Sequence, residues 1–166
     1  MIHENPQKIF IGFLLSVFFI VLIRTAWVCD DAFITFRTID NFFHGYGLRW
    51  NVDERVQTYT HPLWMMVMTV AHGITGEFYY ASILLSILIS MITAGIVAYW
   101  IACNTASAMM ALLLLILSKS FTDFSTSGLE NPLSHLLLVG FWGVYFRSEP
   151  HKSKVIWLTC LSSLIL

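Results

Sequence analysis

The sequence predicts an all-α, multi-pass transmembrane protein with amphipathic helices lying in its first external loop. Three observations lead there. Hydrophobic residues make up 57% of the chain and charged residues only 11%, against roughly 25% charged in a soluble domain. Two apolar runs, Ile9 to Val28 and Tyr79 to Ala102, each reach the length of a bilayer crossing. The charge is also concentrated: Asp30, Asp31, Asp40, Asp53 and Glu54, with Arg37, Arg49 and Arg55, all fall between those two runs. A connector that only joined two helices would not need that chemistry. A net charge of -1 offers neither the basic surface that nucleic acid requires nor a polybasic patch for acidic lipid.

The first run is expected to span at about 9-28. It lacks the small-x-small site of a cleaved signal, and Val28 stands before Cys29 where a lipoprotein signal has a small residue. Trp27 suits the interface, and Arg24 is close enough to it to snorkel. From Asp30 the pattern turns helical and amphipathic. At 100° per residue Phe33, Phe36, Ile39 and Phe43 share one arc, and Asp30, Arg37 and Asn41 form the opposite stripe, with Asp31, Thr35 and Thr38 beside it. Such a helix is expected to lie on the membrane surface, aromatics down. His44 to Gly47, with two glycines, reads as a turn, and Leu48 to Thr60 as irregular or short extended chain.

Pro62 to Thr75 begins with a proline suited to a first helical turn but is short for a crossing. Spans are expected at about 79-102, 105-118 and 132-146, with another beginning at 155-166. The loop Arg147 to Lys154 is rich in Lys and Arg, which places it in the cytoplasm. With an inside N-terminus, that parity requires Pro62 to Thr75 to be interfacial, within an external loop of about 29-78. The external loop and the stretch Ser118 to Asn131 then both face outward and can meet. The run from Val155 reaches Leu166 without a closing polar flank, so the expectation is the N-terminal part of a longer protein. There are no internal repeats. Cys29, Cys103 and Cys160 lack C-x-x-C spacing and read as packing residues rather than as a disulfide or metal site.

Several residues carry possible chemistry. Asp30 and Asp31 emerge together from the first helix. Neighbouring carboxylates near low dielectric resist double ionisation, so one can hold a raised pKa and act as a general base; alternatively both only cap the next helix. Arg37, on the face of Asp30, either binds phosphate or offsets an acid. Tyr59, Thr60 and His61 precede Pro62 in a run whose aromatics suit an interface. His72 and His135 read as packed or interfacial. Glu130 stands just before a helix start, where it either complements the dipole or serves a site near the membrane plane.

The order D-D-A-F-I-T-F-R, G-Y-G-L-R-W-N, E-R-V-Q-T-Y-T-H-P-L-W and, much later, T-S-G-L-E-N-P-L resembles the GT-C superfamily of polyprenyl-phosphate-sugar-dependent membrane glycosyltransferases. The likeness is strongest to terminal arabinofuranosyltransferases, and it covers most of residues 9 to 146. The resemblance implies a catalytic base at Asp30 or Asp31. It also implies that Arg37, Tyr59, His61 and Glu130 line the same outward cavity and bind substrate. The implied partners are a polyprenyl-phosphate-linked sugar donor, a glycan or lipid acceptor and membrane lipids, with no nucleic acid; the implied location is the bacterial cytoplasmic membrane, active face outward. Glu130 would orient sugar hydroxyls or help hold a divalent cation, magnesium or manganese. The competing expectation is a non-catalytic membrane subunit, a transporter fragment or a degenerate remnant of such an enzyme. Transporters put their ionisable groups near the midplane, whereas these acids gather at one surface.

Overall fold

A computed structural model describes residues 6-54, 56-147 and 152-165. The described residues are all-helical, with no strand among them: α1 (Pro6–Arg24), α2 (Ala32–Phe43), α3 (Pro62–Thr75), α4 (Tyr79–Ile96) continued by a π-helical turn (Val97–Ile101), α5 (Thr105–Leu117), α6 (Lys119–Phe124), α7 (Asn131–Arg147) and α8 (Lys152–Ile165). Two of these helices are long and apolar enough to cross a membrane, Gln7–Arg24 and Tyr79–Ile101. The apolar helices Thr105–Leu117 and Ser153–Ile165 are shorter.

Helix α4 divides two cores. On one side Leu14, Phe18 and Leu22 of α1 pack with Ile87 and Ala94 of α4 and with Ala108 and Leu112 of α5. On the other, Ala32, Phe36 and Ile39 of α2 meet Trp64, Met65 and Met68 of α3, together with Ile89 and Leu133. Ser82, Ser86, Ser90 and Thr93 follow one another along α4 at helical spacing and are all buried. Small side chains of this kind let neighbouring backbone come close, and Ser90 Oγ donates to the carbonyl of Ser125 at 3.4 Å. The next contact down is closed by Gly143 of α7, where a Cβ would overlap the Trp100 ring of the π turn.

Helix α1 ends at Arg24, earlier than the expected 28. Thr25 Oγ1 turns back to the carbonyl of Val21 at 2.9 Å. Beyond it, long-range bonds replace helical ones: Trp27 Nε1 donates to the carbonyl of Asp123 at 2.9 Å, and the Cys29 amide to the carbonyl of Ser127 at 2.8 Å. The first loop is thereby tied to the 118-131 stretch, in which a short helix, α6, also forms.

The amphipathic pattern holds for α2 with one correction. Thr38, expected beside the polar stripe, is fully buried, because the returning chain covers it and Thr38 Oγ1 shares a 2.6 Å hydrogen bond with Thr58 Oγ1. Phe33 and Phe43, on the apolar arc, are 50% and 49% exposed and lie outside the core of the protein itself. Phe36 instead stacks on Phe78, which stacks on His72 at 3.7 Å between centroids. That ring ladder fixes α2 against the corner between α3 and α4.

The cysteines form no disulfide, but neither are they packing residues: Cys103 and Cys160 are exposed, and Cys29 is half-buried with its thiol donating to Asp30. Residues 148-151 of the basic loop lie outside the described residues, as does Arg55.

Candidate functional site

The residues that meet at one end of the molecule come from four places in the chain. The turn after α1 delivers Asp31, the first turns of α2 deliver Ile34 and Thr35, segment 56-60 delivers Thr58 and Thr60, and the chain before α7 delivers Leu129 and Glu130. Together they enclose a cavity of about 280 Å³. Thr60 Oγ1 donates to Glu130 Oε1 at 3.2 Å, so a hydroxyl holds the glutamate.

Local sequence explains why the site forms. Gly128 has φ +79, and a Cβ there would lie 2.9 Å from Ala32 Cβ and 3.0 Å from Val28 Cγ1. Only glycine allows that close approach in the left-handed region. Its carbonyl accepts from Trp64 Nε1 at 3.0 Å, a buried bond. The carbonyls of Ser127 and Gly128 thus receive donors from Cys29 and Trp64, and these fix Glu130 two residues further on.

The aspartate pair does not serve as the side-chain cap of α2. Asp31 stands at the N-cap position of α2 with helical backbone angles and makes no side-chain cap bond. Asp30 Oδ1 accepts from the Cys29 thiol at 3.1 Å and from the Asp31 amide at 3.1 Å. Neither acid therefore satisfies the amides of the first helical turn that a cap would serve. The Cys29 thiol first, and then the Asp31 amide, hold the Asp30 carboxyl below its usual range. The raised value expected of a crowded pair is absent at Asp30, because this carboxyl is open to solvent and its neighbours donate hydrogen bonds to its charged form. Only Asp31 of the two lines the cavity.

Arg37 does not share it. Asp31, Ile34 and Thr35 lie on one flank of α2, and Phe33, Phe36, Arg37 and Asp40 on the flank roughly 180° away, where they line a separate cavity of about 450 Å³ with Trp50 and Phe78. Arg37 Nε donates to the carbonyl of Trp50 at 3.0 Å, and the guanidinium lies 4.9 Å from that indole's centroid. With Asn41 Nδ2, which donates to the carbonyls of Arg49 and Trp50, it pins the 44-50 turn to α2.

Tyr59 lines a third cavity. His61 is 6% exposed and caps α3, its Nδ1 accepting the Trp64 amide at 3.2 Å. Its Nε2 is buried without a described partner. Among the described residues, Asp31 with Glu130, Arg37, and Tyr59 line three separate cavities, with His61 in none of these linings. Thr35, Thr58, Thr60 and Leu129 belong to the Asp31 site; the sequence places Thr35 beside the polar stripe and Thr60 in the run before Pro62, and does not single out Thr58 or Leu129. The one signal was spacing: Thr35 is a helical turn on from Asp31, and Thr58 and Thr60 share a face of extended chain.

For a metal, Cys29, Asp30 and Asp31 have ligand atoms within 4.8 Å of one another. A thiol with two exposed carboxylates does not fit magnesium or manganese, which take oxygen ligands. No family model, curated protein or solved structure matches the chain.

Proposed function

We propose that the chain is a multi-pass membrane glycosyltransferase of the GT-C type, transferring a sugar from a polyprenyl-phosphate donor to a cell-envelope glycan or lipid at the outer face of the bacterial cytoplasmic membrane. The observation that carries the reading is the convergence of Asp31 and Glu130, from opposite ends of the resembling motifs, on one hydroxyl-lined cavity. Lipid contact is supported by the first long helix, an apolar segment of which only 22% is buried within the protein.

In this reading the Asp31 carboxylate accepts the proton of an acceptor hydroxyl. The oxygen attacks the anomeric carbon of the donor sugar, and the bond to polyprenyl phosphate breaks with its electron pair leaving on the phosphate. Glu130, steadied by Thr60, accepts hydrogen bonds from sugar hydroxyls. A prenyl chain suits such a donor because it stays in the bilayer while the phosphosugar reaches the surface. Arg37 enters as the clamp on the 44-50 turn, since α2 stands between it and Asp31. His61 enters as the cap of α3.

The test is transfer from a lipid-phosphate sugar by membranes holding the full-length chain. Asp31→Asn should lower turnover on the order of 10²-fold or more, whereas Asp30→Asn should leave most of it. Undiminished turnover in Asp31→Asn, with the protein folded and inserted, would remove the base and the mechanism with it.

A further inference from the structure

Phe33, Phe36, Arg37 and Asp40 share one flank of α2 at helical spacing, and with Trp50 and Phe78 they line a cavity of about 450 Å³ that is open to the surface. We infer that it holds the headgroup of a zwitterionic aminophospholipid, phosphatidylethanolamine, whose acyl chains leave past Phe33. The inference rests on the membrane placement in the reading above and is independent of its transfer chemistry.

The cavity carries one cation and one anion that do not neutralise each other. Arg37 and Asp40 stand at i and i+3, a spacing at which helical side chains meet, yet among the described residues no ion pair joins them. The guanidinium is drawn toward the 44-50 turn instead: Nε donates to the Trp50 carbonyl at 3.0 Å, and the group lies 4.9 Å from the indole centroid. Nε carries one of five N–H donors, and the other four donate to no described residue. The basic group nearest Asp40 is His44, with Nδ1 3.4 Å from Oδ1, and both side chains are more than half exposed. A simple anion in this space would be drawn by Arg37 and repelled by Asp40. A phosphate joined to a primary ammonium satisfies both, and the ammonium brings N–H donors for the carboxylate that a quaternary choline lacks. The carboxylate likewise sets the cavity apart from a site for a prenyl phosphate, which has no ammonium to offer it.

The rest of the lining points to a lipid rather than to a dissolved zwitterion. The four other residues are aromatic. Phe36 meets Phe33 edge-on at 5.4 Å and stacks on Phe78 at 5.2 Å, so the rings form a continuous apolar wall beside the two charges. Phe33 is 50% exposed on the arc of α2 that faces the bilayer in this reading, and indole and arginine side by side suit the headgroup level. A water-soluble zwitterion would leave Phe33 uncovered. Asp53 and Glu54, the next carboxylates along the chain, do not line the cavity; Arg55, outside the described residues, needs a variant of its own.

The experiment is lipid binding to the full-length chain, delipidated in detergent and read by native mass spectrometry. The probes are the dioleoyl forms of phosphatidylethanolamine, phosphatidylcholine and phosphatidylglycerol, water-soluble glycerophosphoethanolamine, and a polyprenyl phosphate as competitor. Phosphatidylethanolamine should bind about fivefold tighter than the other two phospholipids, the worth of one exposed charge pair, and far tighter than glycerophosphoethanolamine. Equimolar polyprenyl phosphate should not displace it. Asp40→Asn, an isosteric change at an exposed position, should bring phosphatidylethanolamine and phosphatidylglycerol to within about twofold of each other. Arg37→Gln, which keeps a donor for the Trp50 carbonyl, should weaken both, and Arg55→Ala neither. Equal affinity for the three phospholipids, displacement by polyprenyl phosphate, or glycerophosphoethanolamine as tight as the lipid overturns the site. So does undiminished selectivity in Asp40→Asn with its unfolding temperature preserved, or a loss in Arg55→Ala that matches Arg37→Gln. Selective binding by a chain that transfers no sugar would refute the catalytic reading and leave this site standing; transfer without selective binding would do the reverse.

Discussion

Replacing Gly128 by alanine tests whether the loop before α7 is held in the way that builds the Asp31 site. Two costs are separable. With φ at +79, any residue carrying a Cβ loses roughly 1–2 kcal/mol in the left-handed region. The new methyl also meets Ala32 Cβ at 2.9 Å and Val28 Cγ1 at 3.0 Å, and both neighbours sit where α2 begins and cannot swing away as a long side chain would. Overpacking of that kind costs typically about 1–3 kcal/mol, so the whole should reach roughly 2–5 kcal/mol. Gly45 is the control: its φ is +83 and nothing lies within 4 Å of its Cβ position, so Gly45→Ala should lose only the backbone part, roughly 1–2 kcal/mol. Thermal unfolding of the two variants in the same detergent measures the difference. Equal losses would mean that the loop does not press on α2 and that Glu130 is not positioned by this contact.

Four further outcomes are expected. Trp64→Phe keeps the ring in the core but strips the donor from the Gly128 carbonyl, and the buried acceptor left behind should cost about 1–3 kcal/mol, read as a lower unfolding temperature. Gly143→Ala should destabilise strongly through the Trp100 ring, and Trp100→Ala in the same chain should recover much of the loss; a purely additive double variant would refute that contact. His61→Asn should keep α3 capped while His61→Ala loses about 0.5–2 kcal/mol, and equal unfolding of the two would deny the cap. The folded value for Asp30 lies below the unfolded one, so whatever stability it adds is complete above the ordinary carboxylate range and lost as pH falls through the folded value. Cys29→Ala removes the main donor to Asp30 and should move its carboxyl 13C titration upward in pH; an unmoved midpoint would refute the thiol's part.

Local periodicity carried most of what the sequence could say about this fold. The Gly-Tyr-Gly turn, the proline start of α3 and the arc of Phe36 and Ile39 all follow from interactions within a few residues, and each is observed. What periodicity could not supply was which face meets which segment. Thr38 looked solvent-facing because its partner, Thr58, sits in a stretch with no pattern of its own. Residues 25-28 looked helical by hydrophobicity, yet bonds from Trp27 and Cys29 to the 123-127 backbone draw them out of the helix. Asp31 and Glu130 share one lining while Arg37 and Tyr59 line others, a division that the order of the motifs along the chain does not reveal.

The separation of those cavities follows from a single element. A helix has two flanks, and residues well apart around its axis are delivered to different ones, however close they stand in sequence. Asp31 and Arg37, six residues and about 120° apart at 100° per residue, line different cavities. A chain that needed both on one substrate atom would have to unwind α2 or approach it at its N-terminal end, yet Phe36 stacked on Phe78 and Thr38 bonded to Thr58 hold the helix from both sides. The arginine's bond to the Trp50 carbonyl gives it a different use. By holding the 44-50 turn it shapes one wall of the cavity in which Arg49 stands, a cavity that neither Asp31 nor Arg37 lines.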